Sequence, residues 1–187
     1  KTTRIGLGHA IETRKKGALE FSLYNRYWNI PNFEGQRFLA DVVSTRYGLD
    51  YAFSDNFTVG LGYTNHDKIT DGFLKYKLLK QRRNSKKMPF SITLVQALSH
   101  RKVENTNGNI YQQTTSSSDK YAFTSQILIA RKINTDISLQ IAPTFIHREE
   151  NTLTEDPNNQ FAVTFGGRHK ISNHASIVSE YFYVSNP

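Results

Sequence analysis

Apolar and polar residues alternate one for one along most of this chain. In Phe57-Thr58-Val59-Gly60-Leu61-Gly62-Tyr63-Thr64 one face carries Phe57, Val59, Leu61 and Tyr63, the other Thr58, Gly60, Gly62 and Thr64. Leu74, Tyr76 and Leu78 oppose Lys75 and Lys77; Ile137, Leu139, Ile141 and Phe145 oppose Ser138, Gln140 and Thr144. Phe161, Val163 and Phe165 oppose Ala162, Thr164 and Gly166 in the same way. A period of two marks a β-strand with unlike faces, because successive side chains point to opposite sides of the pleat. Apolar spacings of three and four, which a helix would need, are missing from these segments.

The alternation predicts about ten strands, at roughly 2–10, 17–27, 42–53, 57–65, 72–81, 89–100, 120–132, 137–148, 160–170 and 175–185. Most are near the roughly 9–11 residues that a tilted strand needs to cross a bilayer. Short turns fall at Ser54-Asp55-Asn56, Asn134-Thr135-Asp136 and Ser172-Asn173-His174, and long polar connections at 28–41, 101–119 and 149–159. Short turns at one end and long loops at the other are the layout of an outer-membrane barrel. The predicted fold is therefore all-β, an antiparallel up-and-down transmembrane β-barrel. It forms a single domain over 1–187, with no linker to divide it.

Periodicity fixes the faces but not which of them is inside. In the third strand Val43, Tyr47, Leu49, Tyr51 and Phe53 share one face, and Arg46, Gly48 and Asp50 the other. Leu19, Phe21 and Leu23 oppose Glu20, Ser22 and Arg26; Ile5 and Leu7 oppose Arg4, Gly6 and Gly8. The charged residues collect on one side: Arg4, Glu20, Arg26, Arg46, Asp50, Lys75, Lys77, Arg168, Lys170 and Glu180. A soluble barrel puts its apolar face inside; a membrane barrel reverses that order. Aromatic residues near strand ends (Tyr27, Trp28, Tyr63, Tyr121, Tyr181, Tyr183) favour the membrane, as interfacial girdles do. No run of 18 apolar residues exists, so no transmembrane helix is expected.

Several ordered motifs carry a family resemblance. They are Lys1-Thr2-Thr3-Arg4 with Gly8-His9-Ala10-Ile11-Glu12-Thr13, then Arg46-Tyr47-Gly48-Leu49-Asp50-Tyr51, Asp71-Gly72-Phe73-Leu74-Lys75-Tyr76-Lys77-Leu78-Leu79 and Met88-Pro89-Phe90-Ser91. Together they resemble an uncharacterised outer-membrane β-barrel family of Bacteroidota, a domain of unknown function. The resemblance implies an outer-membrane location and supplies no catalytic residues. It also implies a signal peptide and further C-terminal strands, so the expectation is a portion of a protein with about 12–14 strands in all. Asn25-Arg26-Tyr27 stands where the family shows a His-Arg-Phe-like step.

The lumen-facing set holds seven basic and three acidic residues. Such an excess can make a lumen favour anions. The structural alternative is a filler of internal ion pairs, Arg46–Asp50 and Glu20–Arg26 among them. Gly6, Gly8, Gly60 and Gly62 leave room for larger neighbours or solute, or serve curvature and close packing, the reading favoured here. Two connections are strongly basic, Arg14-Lys15-Lys16 and Arg82-Arg83-Asn84-Ser85-Lys86-Lys87, both at the short-turn, periplasmic end. They are solvated turns, or they hold an acidic partner or lipid phosphates. The pI is near 9.6, but no stacking platform accompanies the basic runs, so no nucleic-acid partner is expected.

The chain has no Cys, and its six His lack paired metal spacing, so neither metal nor cofactor is expected. Asp67 and Asp71, flanking a short outer loop, are a weak candidate for a cation contact. A barrel-borne lipid hydrolase or acyltransferase would need a Ser or His with an orienting partner, for which His100 with Ser99, or His147 with Ser138 or Thr144, are candidates. The leading expectation is a non-enzymatic outer-membrane barrel, a narrow porin-like pore or a component of an envelope assembly. Its partners would be outer-membrane lipids and other envelope proteins. A receptor binding through its extracellular loops is the alternative, and the lipid enzyme the third class.

Overall fold

The computed structural model describes residues 3–5, 8–28, 42–82, 88–107, 114–149 and 158–185. It contains strands and no helix among these residues. A short antiparallel hairpin opens the chain, β1 (Arg4–Ile5) with β2 (Gly8–His9). Nine longer strands follow: β3 (Leu19–Trp28), β4 (Val42–Ala52), β5 (Phe57–Thr64), β6 (Ile69–Leu79), β7 (Ser91–Asn107), β8 (Thr114–Lys132), β9 (Ile137–Arg148), β10 (Asn159–Lys170) and β11 (Ser176–Ser185). They form one antiparallel sheet in sequence order, each pairing only with its chain neighbours. Up-and-down order is what short antiparallel connections impose. β3 and β11 are not paired with each other, so the sheet stays open along that seam.

Two expectations are corrected here. Arg4–Ile5 and Gly8–His9 pair with each other and not with the wall, which leaves nine strands in the sheet among the described residues rather than ten. Alternation over so few residues sets an extended backbone but does not choose its neighbours. The long connection expected at 101–119 is mostly strand, with β7 and β8 paired out to Asn107 and Thr114. Ser, Thr and Asn hydrogen-bond through their backbones as well as any residue. A ladder that runs past the apolar belt therefore needs no apolar alternation.

Burial decides which face is inside. Leu19, Phe21, Leu61 and Phe161 are 61–65% exposed, while Lys75 on the opposite face is only 2% exposed. The outward residues form apolar rows across the wall, such as Leu49, Leu61 and Leu98 with Phe123, or Val59 with Tyr51 and Leu74. An apolar surface this extensive is untenable in water and ordinary against lipid. The inner face holds Asp50, Thr58, Lys75, Lys77, Thr93, Gln140, Thr144 and Thr164, all buried, with a small apolar cluster of Phe73, Val95, Leu128 and Ala142.

Candidate functional site in the lumen

Residues 3–5 and 8–16 occupy the interior of the curled sheet. The hairpin β1–β2 is closed by the Ala10 amide donating to the Thr3 carbonyl at 2.9 Å. Several backbone groups of the hairpin and of the residues after it are met by side chains from the wall, as buried backbone requires. The Ile11 amide donates to Gln140 Oε1 at 2.9 Å, and Gln140 Nε2 donates to the His9 carbonyl at 2.8 Å. Thr93 Oγ1 donates to the Ile11 carbonyl at 3.1 Å. Lys75 Nζ donates to the Glu12 carbonyl at 2.6 Å and to the Thr3 carbonyl at 3.3 Å.

Both edges of the sheet reach the same segment. Glu180 on β11 accepts from the Gly8 amide at 3.3 Å, and Glu20 on β3 accepts from Thr3 Oγ1 at 3.2 Å. The sheet therefore wraps round residues 3–5 and 8–16 as a plug. Apolar contacts add to the polar ones. The His9 ring meets Phe73 edge-on at 4.5 Å, and Ile11 packs on the Phe73–Val95–Leu128–Ala142 cluster. The Arg4 guanidinium lies 5.6 Å from the Tyr24 ring centroid and 5.5 Å from that of Phe73, within cation–π range.

The plug leaves the lumen at the short-turn end. Thr13 Oγ1 donates to the Asp55 carbonyl, the Lys16 amide donates to the Asp55 carboxylate at 2.8 Å, and Gly17, at φ 80°, turns the chain into β3. A positive φ of this size suits glycine, which has no Cβ to clash. Arg14 binds Glu20 through both carboxylate oxygens at 2.7 and 2.6 Å, which holds its guanidinium above the ordinary pKa.

The expected ion pairs are replaced by others. Arg46 does not pair with Asp50 but with Asp71, through Nε at 2.9 Å and a second contact from Nη2. Glu20 pairs with Arg14 rather than Arg26, because the N-terminal segment brings Arg14 to it. Arg26 holds an inner-face position on β3 but is exposed. Asp50 Oδ1 and Arg46 Nη1 are buried without a hydrogen bond among the described residues. Lys77 Nζ lies 3.5 Å from Glu12 of the plug. Arg168 donates to Ser176 and Lys170 to Asn173, both near the β10–β11 turn rather than deep in the lumen. Arg46→Ala is expected to leave Asp71 unpaired and lower stability by about 1–3 kcal/mol, read from urea unfolding in lipid.

Gly60 and Gly62 have the close neighbours that the close-packing reading expects, and Gly6 lies outside the described residues. A Cβ on Gly60 would sit 2.1 Å from the Phe73 ring, and one on Gly62 would sit 2.2 Å from Arg46 Nη2. Asp71 faces inward to Arg46 instead of marking a cation contact, and Asp67 lies 3.9 Å from Arg101. Among the described residues no cluster could hold a metal. Neither Ser–His pair is assembled. Ser99 faces inward and donates to the Ala122 carbonyl, whereas His100, its chain neighbour, points outward against Tyr121. His147 points outward to Asn159 at 2.7 Å, while Thr144 is buried inside and Ser138 lies at the far end of β9. Of the basic turns, Arg14, Lys15, Lys16 and Arg82 are described, and Arg83, Lys86 and Lys87 lie outside the described residues. The plug itself was not foreseen. The signal for it was the short, Gly-broken alternation of 4–10 beside the polar Glu12-Thr13-Arg14.

An outward apolar face, an inward polar one and nine neighbouring strands are the anatomy of a membrane barrel. The model of the DUF5777 family, a membrane-bound β-barrel domain, matches residues 1–187. The chain belongs to this family. No curated protein and no solved structure matches it. The family description settles a membrane-bound barrel, and the plugged lumen comes from this domain's own geometry.

Proposed function

We propose that this barrel domain is a non-enzymatic, non-conducting component of the bacterial outer membrane, whose lumen is closed by its own N-terminal segment and which serves an envelope assembly. The observation that carries this reading is Lys75. A lysine in an open, water-filled pore would keep its ammonium hydrated. Here it is buried and donates to two backbone carbonyls of the plug. Thr93 on β7 and Gln140 on β9 hold the same segment.

An up-and-down barrel with aromatic residues such as Tyr63 and Tyr183 exposed near its strand ends suits the outer membrane. The β3 and β11 edges need a pairing partner in lipid, since unpaired backbone is not tolerated there. Planar-bilayer recording of the intact, heat-modifiable protein is expected to show a silent membrane. Steady single-channel steps from that sample would overturn the reading and restore the pore.

A further inference from the structure

The two ends of the barrel differ in charge. In sequence, the connections at the turn end (13–18, 53–56, 80–90, 133–136 and 171–175) hold eight basic residues and two acidic ones, Asp55 and Asp136. Those at the other end (29–41, 65–68, 108–113 and 149–158) hold two basic and seven acidic residues. Positive charge thus gathers where the short turns leave the membrane.

One part of that end is built rather than merely charged. Arg131 stands on the outward face of β8, opposite Leu139, and its guanidinium lies 5.7 Å from the Phe90 ring centroid. Phe90 is 42% exposed, so the pair presents a cation at the upper edge of an apolar wall. Gln81 fixes the neighbouring connection to β8. Its Nε2 donates to the Lys132 carbonyl at 3.0 Å, and the Lys132 amide donates to its Oε1 at 2.8 Å. The Gln81 amide donates to Ser91 Oγ, and Arg82 bridges to Met88 through paired backbone bonds. Lys80, Arg82, Arg131 and Lys132 are all exposed and are held round this clamp. Below them, the register shift between Lys77 and Leu79 leaves both Leu78 and Leu79 exposed on the wall.

We infer that the Arg131–Phe90 corner of the turn end is a binding surface for the phosphate headgroup of an anionic phospholipid, with the acyl chains against Leu78, Leu79 and Leu139. Charge complementarity selects the occupant. A guanidinium stacked on an aromatic ring keeps its N–H edge for phosphate oxygens, and Lys80, Arg82 and Lys132 add exposed positive charge at the same end. An anionic leaflet attracts such clusters, and the apolar wall below already faces lipid.

The test is lipid retention by the full chain in detergent, measured by native mass spectrometry with phosphatidylglycerol against phosphatidylcholine. Phosphatidylglycerol is expected to be retained at least about tenfold better, with the preference shrinking as salt is raised. Arg131→Gln and Lys132→Gln together are expected to weaken retention by about fivefold per charge removed, the factor that matches about 1 kcal/mol for each. Arg131→Lys should keep part of the preference, and Lys102→Gln at the opposite end should leave it unchanged. Lys80→Gln repeats the reading if the double variant fails to fold. Equal retention of the two lipids, or folded variants that bind as the parent does, would overturn the proposal. So would displacement of the lipid by millimolar inorganic phosphate, or tighter binding of polyglutamate, which would assign the surface to a free anion or an acidic protein.

Discussion

Lys75→Ala is expected to unseat the N-terminal segment and turn a silent barrel into a conducting one. Lys75 is 2% exposed and joins β6 to both ends of the plug, through the Thr3 and Glu12 carbonyls. Truncation removes a donor from the Glu12 carbonyl and from the Thr3 carbonyl, which keeps the Ala10 amide, and opens a void where the buried side chain stood. A lost buried hydrogen bond costs about 1–3 kcal/mol and the void adds to it, so a loss of about 2–4 kcal/mol is expected in urea unfolding. The plug has other holds, at Gln140, Thr93 and Glu180, so the wall should survive while the segment loosens. Channel events in planar bilayers and faster tryptic cleavage at Lys15 and Lys16 would report that loosening. If stability, conductance and cleavage all stay at the parent's values, Lys75 does not hold the segment in place.

Gly60→Val is expected to be at least as damaging, through overpacking. A Cβ at this position would meet Phe73 ring atoms at 2.1 and 2.4 Å and Asp50 Oδ1 at 2.5 Å. Phe73 is 5% exposed and packed between the wall and the plug, so its ring has little space to retreat. Overpacking of this kind costs about 1–3 kcal/mol and more where both neighbours are confined. The expected readout is loss of the heat-modifiable band, or a urea midpoint shifted down by that amount. Phe73→Ala combined with Gly60→Val should recover part of the loss, since the clash is pairwise. Additive losses in the double variant would contradict the contact.

Much of the wall was legible in the sequence. Ile137–Arg148 begins and ends as the alternation predicts, and Val42–Ala52 and Phe57–Thr64 each fall one residue short at the C-terminal end. Each has one face that must meet lipid and one that cannot. A slip of one residue would exchange the two, so pattern alone fixes register. The inward placement of Lys75, Lys77, Asp50 and Glu180 follows from the same parity.

Partnership across the lumen was not legible. Arg46 and Asp50 share a strand and a face, but Asp71 comes to Arg46 from β6, two strands away across Gly62. Arg14 reaches Glu20 only because Gly17 returns the chain at the turn end. The Arg4–His9 alternation is locally the same as a wall strand's. Its place is decided by long-range bonds from Gln140 and Glu180, more than a hundred residues away, which no local period encodes. Phe73 and Val95 sit inside because the plug brings apolar surface to meet them. An open polar lumen would have given them no reason to be there.

The central claim is that residues 3–5 and 8–16 fill the lumen, and the lack of native Cys makes a direct test clean. Ile11→Cys would be paired in the intact chain with Val95→Cys, on the inner face where Ile11 packs, or with Leu94→Cys, on the lipid face of the same strand. Oxidation of the folded protein is expected to link Ile11→Cys to Val95→Cys and not to Leu94→Cys, and to leave Ile11→Cys alone slow to react with a bulky water-soluble maleimide. Rapid labelling of Ile11→Cys in the folded barrel, with no link to Val95→Cys, would place the segment outside the lumen and contradict the account.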